Sequence, residues 1–256
     1  APNSPMVDCV NYGEISAEKM TLSTELGGIC GRIGSAANFE IRRCANYGNI
    51  RGGTFQNQGL IDIGGIVGKD YSNSKGYQTM ITDCYNMGNI YLDSSHTQAT
   101  VGGITGNASG SQSPRHIINC YNVGKLIRST LAGKSGGIIG SHGTNIFCAN
   151  TYFLEGRLIR AGVVQPDVIS GETTQPEIDG TSTPARTNIQ SSGAKTLDQL
   201  QPLFSDLQDG TSAFYTGSTV ADGITFTGYD PDTVWSGTRC RGLPYLRSLG
   251  SPEGQK

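Results

Sequence analysis

One eight-residue phrase recurs along the first half of the chain and constrains what it can fold into. It reads Asp8-Cys-Val-Asn-Tyr-Gly-Glu-Ile15, Arg43-Cys-Ala-Asn-Tyr-Gly-Asn-Ile50, Asp83-Cys-Tyr-Asn-Met-Gly-Asn-Ile90 and Asn119-Cys-Tyr-Asn-Val-Gly-Lys-Leu126. A degenerate fifth copy, Phe147-Cys-Ala-Asn-Thr-Tyr-Phe-Leu154, puts Tyr152 where the others have glycine. Between the copies a second phrase recurs: Gly27-Gly-Ile-Cys-Gly31, Gly64-Gly-Ile-Val-Gly68, Gly102-Gly-Ile-Thr-Gly106 and Gly136-Gly-Ile-Ile-Gly140. Self-similarity at a spacing of this order is the mark of a solenoid.

In the first phrase Cys, Asn, Gly and Ile alternate with variable residues, the period of a strand with one face turned inward. Stacking such coils places like residues above one another about 4.8 Å apart. The asparagines can then form a ladder that satisfies buried backbone groups. The glycine four places after the Cys suits a bend or a positive φ, and the double glycine suits close backbone approach. Each half of the unit has its own apolar strand and glycine punctuation, which favours two coils per unit. The reading is therefore all-β: a right-handed parallel β-helix (β-solenoid) of about nine coils, a rod about 40 Å long, with a C-terminal cap containing a short helix.

Seven cysteines are present, and five of them (Cys9, Cys44, Cys84, Cys120 and Cys148) share the phrase position. With two coils per unit they stand about 9–10 Å apart, beyond the roughly 7 Å reach of a disulfide. They read as buried free thiols.

The Gly-Gly-Ile-x-Gly phrase resembles the GLUG motif, and its Cys-Tyr-Asn-x-Gly-x-Ile partner is similar to the unit that accompanies that motif in bacterial surface proteins. The resemblance covers residues 6–154. It implies an extracellular protein at the bacterial cell surface or secreted, adhesin-like or a stalk, attached to other domains of a longer parent chain. Some IgA-specific metallopeptidases carry such repeats as well. Their His-Glu-x-x-His helix is absent from this sequence, and the motif itself supplies no catalytic residue.

Residues 1–154 are thus assigned to the repeats and 155–256 to a capping region with a long Ser/Thr/Pro-rich loop over 165–195. In that region Thr196 and Gln199 are spaced as a capping box. Leu197, Leu200, Leu203, Phe204 and Leu207 follow at helical spacing, interrupted by Pro202 and stopped at Gly210. A closing strand is expected over Val234 to Leu246.

A net charge of −2, with 16% charged residues, argues against a nucleic-acid partner, and no apolar run is long enough to insert in a membrane. His96, His116 and His142 have no metal-ligand spacing and are expected in surface loops; no cofactor is expected. Glu25 and Asp62, each two residues before a double glycine and, on this reading, two coils and about 9–10 Å apart, form the best carboxylate pair for a β-helical polysaccharide hydrolase or lyase, the alternative function. The competing reading is a solvated surface ladder. The residues flanking the phrase's Asn form an outward stripe containing Tyr12, Tyr47, Tyr85 and Tyr121, a candidate binding surface for a host or cell-surface protein or glycan. The same stripe can instead lie beneath the cap. The favoured reading is a non-catalytic module, not an enzyme.

Overall fold

The structure is a computed structural model that describes residues 5–200 apart from positions 21, 35–37, 56–58, 73, 76, 111, 174–175 and 179–191. Beyond these it describes 218–221, 224–227, 246 and 249. The first coil comprises β1 (Met6–Val7), β2 (Val10–Asn11), β3 (Ile15–Met20), β4 (Thr24–Gly27) and β5 (Cys30–Ile33). The next repeats it as β6 (Phe39–Arg42), β7 (Ala45–Asn46), β8 (Ile50–Phe55), β9 (Ile61–Gly64) and β10 (Val67–Asp70). A third follows as β11 (Thr79–Thr82), β12 (Tyr85–Asn86), β13 (Ile90–Leu92), β14 (Ala99–Gly102) and β15 (Thr105–Ala108). The fourth is β16 (Arg115–Ile118), β17 (Tyr121–Asn122), β18 (Leu126–Arg128), β19 (Lys134–Gly136) and β20 (Ile139–His142). A fifth coil begins with β21 (Ile146–Ala149), β22 (Tyr152–Leu154) and β23 (Leu158–Arg160).

Every strand pairs in parallel with its counterpart one whole unit away: Met6 opposes Ile41, and Ile41 opposes Ile81. The parallel solenoid is as expected, but the coil count is not. One unit makes one wide five-strand coil, so there are about four turns rather than nine. The two phrases are opposite walls of the same coil, which explains why each carries its own strand. The second glycine of each pair is where the walls meet. A Cβ on Gly28, Gly65 or Gly103 would strike the side chain of Asn46, Asn86 or Asn122 of the following coil.

The asparagine ladder is continuous. Asn11 donates to Asn46 (2.8 Å), Asn46 to Asn86 (2.7 Å) and Asn86 to Asn122 (2.8 Å). Each amide also donates to the carbonyl of the glycine two residues on, as Asn86 does to Gly88 at 2.9 Å. Those glycines do not adopt positive φ. That conformation falls one residue before the Cys, at Asp8, Arg43, Asp83 and Asn119, and before Thr151 at Asn150 (φ 47–56°), where Asp and Asn tolerate it best. The glycines are needed for proximity instead, since a Cβ on Gly48 or Gly88 would overlap the carbonyl of the glycine stacked on it.

Register also corrects the fifth copy. Ile117 opposes Cys148, Tyr121 opposes Tyr152 and Asn122 opposes Phe153. The residue continuing the cysteine column is therefore Thr151, and Tyr152 extends the tyrosine column rather than replacing a glycine. Cys120 donates to the carbonyls of Ile81 (3.5 Å) and Ile118 (3.2 Å). The Thr151 hydroxyl makes the equivalent bonds to Ile117 (3.0 Å) and Ala149 (3.1 Å). Among the described residues no disulfide forms: Cys44, Cys84, Cys120 and Cys148 are buried thiols, and Cys9 and Cys30 half-buried ones. Burial pushes the Cys84 thiol well up. Stacked cysteines lie on adjacent coils, so the separation expected from two coils per unit does not hold. The Cys44, Cys84 and Cys120 thiols each donate to carbonyls of their own coil and of the coil before, and neighbouring thiols of the column also interact.

Apolar side chains form two interior clusters, one around Ile41, Ile66, Ile81, Ile104 and Ile117, the other around Ile50, Ile63, Ile90, Val101 and Leu126. Past residue 160 the chain turns back as β24 (Val163–Val164), antiparallel to β23. Two further strands, β25 (Glu177–Ile178) and β26 (Gly193–Lys195), pair with β21 and β22. The expected capping box is present: Thr196 N–H donates to Gln199 Oε1 (3.0 Å) and Gln199 N–H to Thr196 Oγ1 (3.1 Å), starting a helical turn over 197–200. The expected continuation through Leu203, Phe204 and Leu207 to Gly210 lies outside the described residues, as does the closing strand except at Leu246. A hairpin of β27 (Ser218–Ala221) and β28 (Ile224–Thr227) completes the described strands.

Candidate functional site

The outward tyrosines do come together, as a column. Tyr12 stacks on Tyr47 with centroids 5.1 Å apart, Tyr47 meets Tyr85 edge-on at 5.6 Å, and Tyr85 stacks on Tyr121 at 5.0 Å. The Tyr47 and Tyr85 hydroxyls are hydrogen-bonded to each other. Tyr85 and Tyr121 are 0% exposed and pack with Tyr152, Leu154, Leu200, Leu246 and Leu249. Burial raises the Tyr85 phenol above its ordinary value, partly offset by a bond to the Leu246 backbone. Of the four, Tyr12 is exposed and Tyr47 half-buried; the chain's own C-terminal residues cover the other two.

The carboxylate pair sits elsewhere. Glu25 and Asp62 lie directly opposite each other on β4 and β9, a coil apart rather than two. Asp62 is not on a solvated ladder; it is fully buried. Its carboxylate accepts from Lys69 Nζ (2.8 Å), Thr100 Oγ1 (2.7 Å) and Asn107 Nδ2 (3.0 Å). Glu25 pairs with Arg32 at 3.3 Å. The Lys69 and Arg32 bonds span the bend made by the double glycine, joining residues seven apart and binding β9 to β10 and β4 to β5, while Thr100 and Asn107 reach Asp62 from the next coil. Three donors surround the buried Asp62 carboxylate, a structural task.

Nor do the histidines share a surface. His116 is in β16, 1% exposed, with its ring stacked on Phe147 at 5.2 Å. It faces a strand neighbour, not a surface loop. His142 ends β20 and His96 lies in a turn. Among the described residues no three His, Cys, Asp or Glu side chains are grouped to hold a metal.

The surface concavity lies on another wall. Following the phrase's Ile, the next residue points out again, giving the in-register row Ser16, Arg51, Tyr91 and Ile127 on β3, β8, β13 and β18. Beside it, Gly53 has no side chain because a Cβ would overlap the Glu18 carbonyl. The result is an open groove of about 430 Å³ whose walls include Glu14, Arg51, Tyr91, Asp93 and Ser129. Arg51 lies over the Tyr91 ring, 4.1 Å from its centroid, and donates to Glu14 at 2.8 Å. That bond to Glu14 holds the guanidinium above its ordinary value. An aromatic face edged by a fork of donors and by acidic acceptors can stack a sugar ring or an aliphatic side chain while bonding its polar groups. The sequence signal for this row was the alternation continued one step beyond Ile50 and Ile90.

No known protein family's profile matches the chain, and no curated protein sequence matches it. The fold is similar to the crystal structure of a Bacteroides ovatus protein provisionally described as an immunoglobulin A1 protease, with a TM-score of 0.57 and 16% identity. The similarity covers 95% of this chain and 57% of that one, so this chain spans little more than half the length of the protein it resembles and shares with it a β-solenoid fold.

Proposed function

We propose that the chain is a non-catalytic extracellular module, at the surface of a bacterium or secreted, that presents a binding surface to a host or cell-surface protein or glycan. The observation that carries this is the Arg51–Tyr91 groove on a wall whose backbone is held by ladders on every side. Rigid strands preorganise a contact surface at little entropic cost. The GLUG-like phrases and the solenoid shared with a larger bacterial protein support the surface location. The buried carboxylate with the strongest claim to chemistry, Asp62, is spent on Lys69, Thr100 and Asn107, which favours binding over hydrolysis.

The test is a glycan and protein array probed with the wild-type chain, Arg51→Ala and Tyr91→Ala, alongside Tyr12→Ala on the tyrosine column. Loss of signal in the first two variants with retention in the third places recognition in the groove. Equal binding by all four chains, or release of reducing ends from the bound glycan, would defeat the reading.

A further inference from the structure

Among the inward-facing rows, one changes character along the rod. Gly52, Leu92, Arg128 and Arg160 occupy successive coils in register, so a row that is apolar in the middle ends in two stacked guanidinium groups. Arg128 is 1% exposed. Its Nη1 donates to the carbonyls of Ala99 (3.1 Å) and Lys134 (3.0 Å), while Nε and Nη2 have no partner. Arg160 donates from Nη2 to Gly133 O at 2.9 Å, and its buried Nε is unpartnered. Among the described residues neither arginine has an ion pair with a carboxylate. The nearest candidate, Glu172, is committed to Lys134 (2.6 Å) and to Ser141.

Two like charges packed together without a counterion are costly in an interior. Burial, and then the Arg160 charge, pull Arg128 down to about 10. Arg160 forms part of the wall of an open cavity of about 200 Å³ beside β23, and Glu172, bonded to Lys134 and Ser141, lines it as well. Ser135, 7% exposed, lines it too, and its hydroxyl is also without a partner. Leu158 and Val168 supply apolar wall.

We propose that this cavity is a carboxylate site, in which the Arg160 guanidinium and Ser135 hydroxyl hold the head group and Arg128, one coil beneath, adds its charge. A planar two-oxygen anion suits a guanidinium edge, and neutral carbonyls cannot supply the missing charge. The volume is about that of six to seven waters, room for an acid of a few carbon atoms or for an acidic side chain of a peptide. The apolar wall takes the alkyl part in either case.

The full chain is titrated with sodium butyrate, and separately with the amide of N-acetylglutamate, at constant ionic strength set with chloride. Binding is read by calorimetry and by the 15N–1H signals of the arginine Nε groups. Saturable binding with shifts of the Arg128 and Arg160 signals is expected from at least one acid, and the tighter of the two identifies a free acid or a peptide side chain as the source. Butyramide should not bind. Arg160→Gln should weaken binding by at least about tenfold, and Ser135→Ala by about three- to fivefold, from the loss of an ion pair and of a single hydroxyl hydrogen bond respectively. Arg51→Gln, on the outer groove, should leave it unchanged. If Arg160→Gln does not fold, the wild-type signals still decide. Unshifted Nε resonances at high acid concentration, equal binding of butyramide, or tighter binding of inorganic phosphate would overturn the assignment.

Discussion

The middle coils and the closing coil of this rod use the same positions for opposite ends. In coils two to four the row beside the double glycine is Asn46, Asn86 and Asn122; Asn46 and Asn86 are fastened to the coils before and after them, and Asn122, the last, to the coil before and to the Gly137 carbonyl of its own. In the closing coil that place belongs to Phe153, whose ring lies against Gly137, while Thr151 stands in for cysteine. A ladder residue is useful only where both neighbours carry it. At an end it leaves a donor or acceptor unmet, so a bulky ring that simply covers the last glycine serves better. The repeat is strict where coils are sandwiched and varied where they stop.

The largest effect should separate the glycines of these two regions. Gly65→Ala puts a Cβ into the Gly103 carbonyl and the Asn86 side chain, with no flexible atom to yield, and should cost more than about 4 kcal/mol or abolish folding. Gly156→Ala meets open space despite a φ of 66° and should cost only about 1 kcal/mol. Denaturant midpoints compare them, and equal losses would break the contrast between sandwiched and terminal positions.

Next comes the ladder itself. Asn86→Leu leaves the Gly88 carbonyl and the facing amides of Asn46 and Asn122 short of partners, a loss of about 3 kcal/mol. Truncating Phe153 to Leu should cost about 1–2 kcal/mol, a packing loss alone. If urea unfolding ranks these the other way, end coils and middle coils are held by the same force.

The column of thiols sharpens the comparison further. Because Thr151 already makes the cysteine's bonds, Cys120→Thr should change stability by less than about 1 kcal/mol, whereas Cys120→Val, with no donor, should cost about 1–2 kcal/mol. Thermal melts of the two variants check this.

The smallest effect is on pH. Burial pushes the Glu172 carboxyl up, but the bonds from Lys134 and Ser141 and the Lys134 charge outweigh it, leaving the group below its ordinary value. A depressed carboxyl contributes stability above the ordinary carboxylate range and loses it as pH falls through the depressed value. Glu172 is largely solvent-screened, so the contribution is no more than about 1 kcal/mol. Glu172→Gln should flatten the acid limb of the stability curve slightly and leave neutral pH nearly unchanged.

The two phrases by themselves determined that this chain forms a parallel solenoid, that its asparagines ladder and that four of its phrase cysteines are core thiols, and the spacing of Thr196 and Gln199 that a helical turn starts there. Each of these follows from alternation and side-chain chemistry within a few residues. What the phrases did not contain was the distance round the coil. A strand's alternation is the same whether its partner is half a unit or a whole unit away, so the coil count came out double and Glu25 and Asp62 were placed too far apart. The slip of Cys148 to the isoleucine row has the same cause: register is set by stacking on the coil below, and a cysteine fits both rows. Only the tertiary structure decided which outward residues stay outward. The column of Tyr85 and Tyr121 disappears beneath Leu200 and Leu246, while Arg51 and Tyr91 remain on an open wall, because cover is supplied by chain far away in sequence.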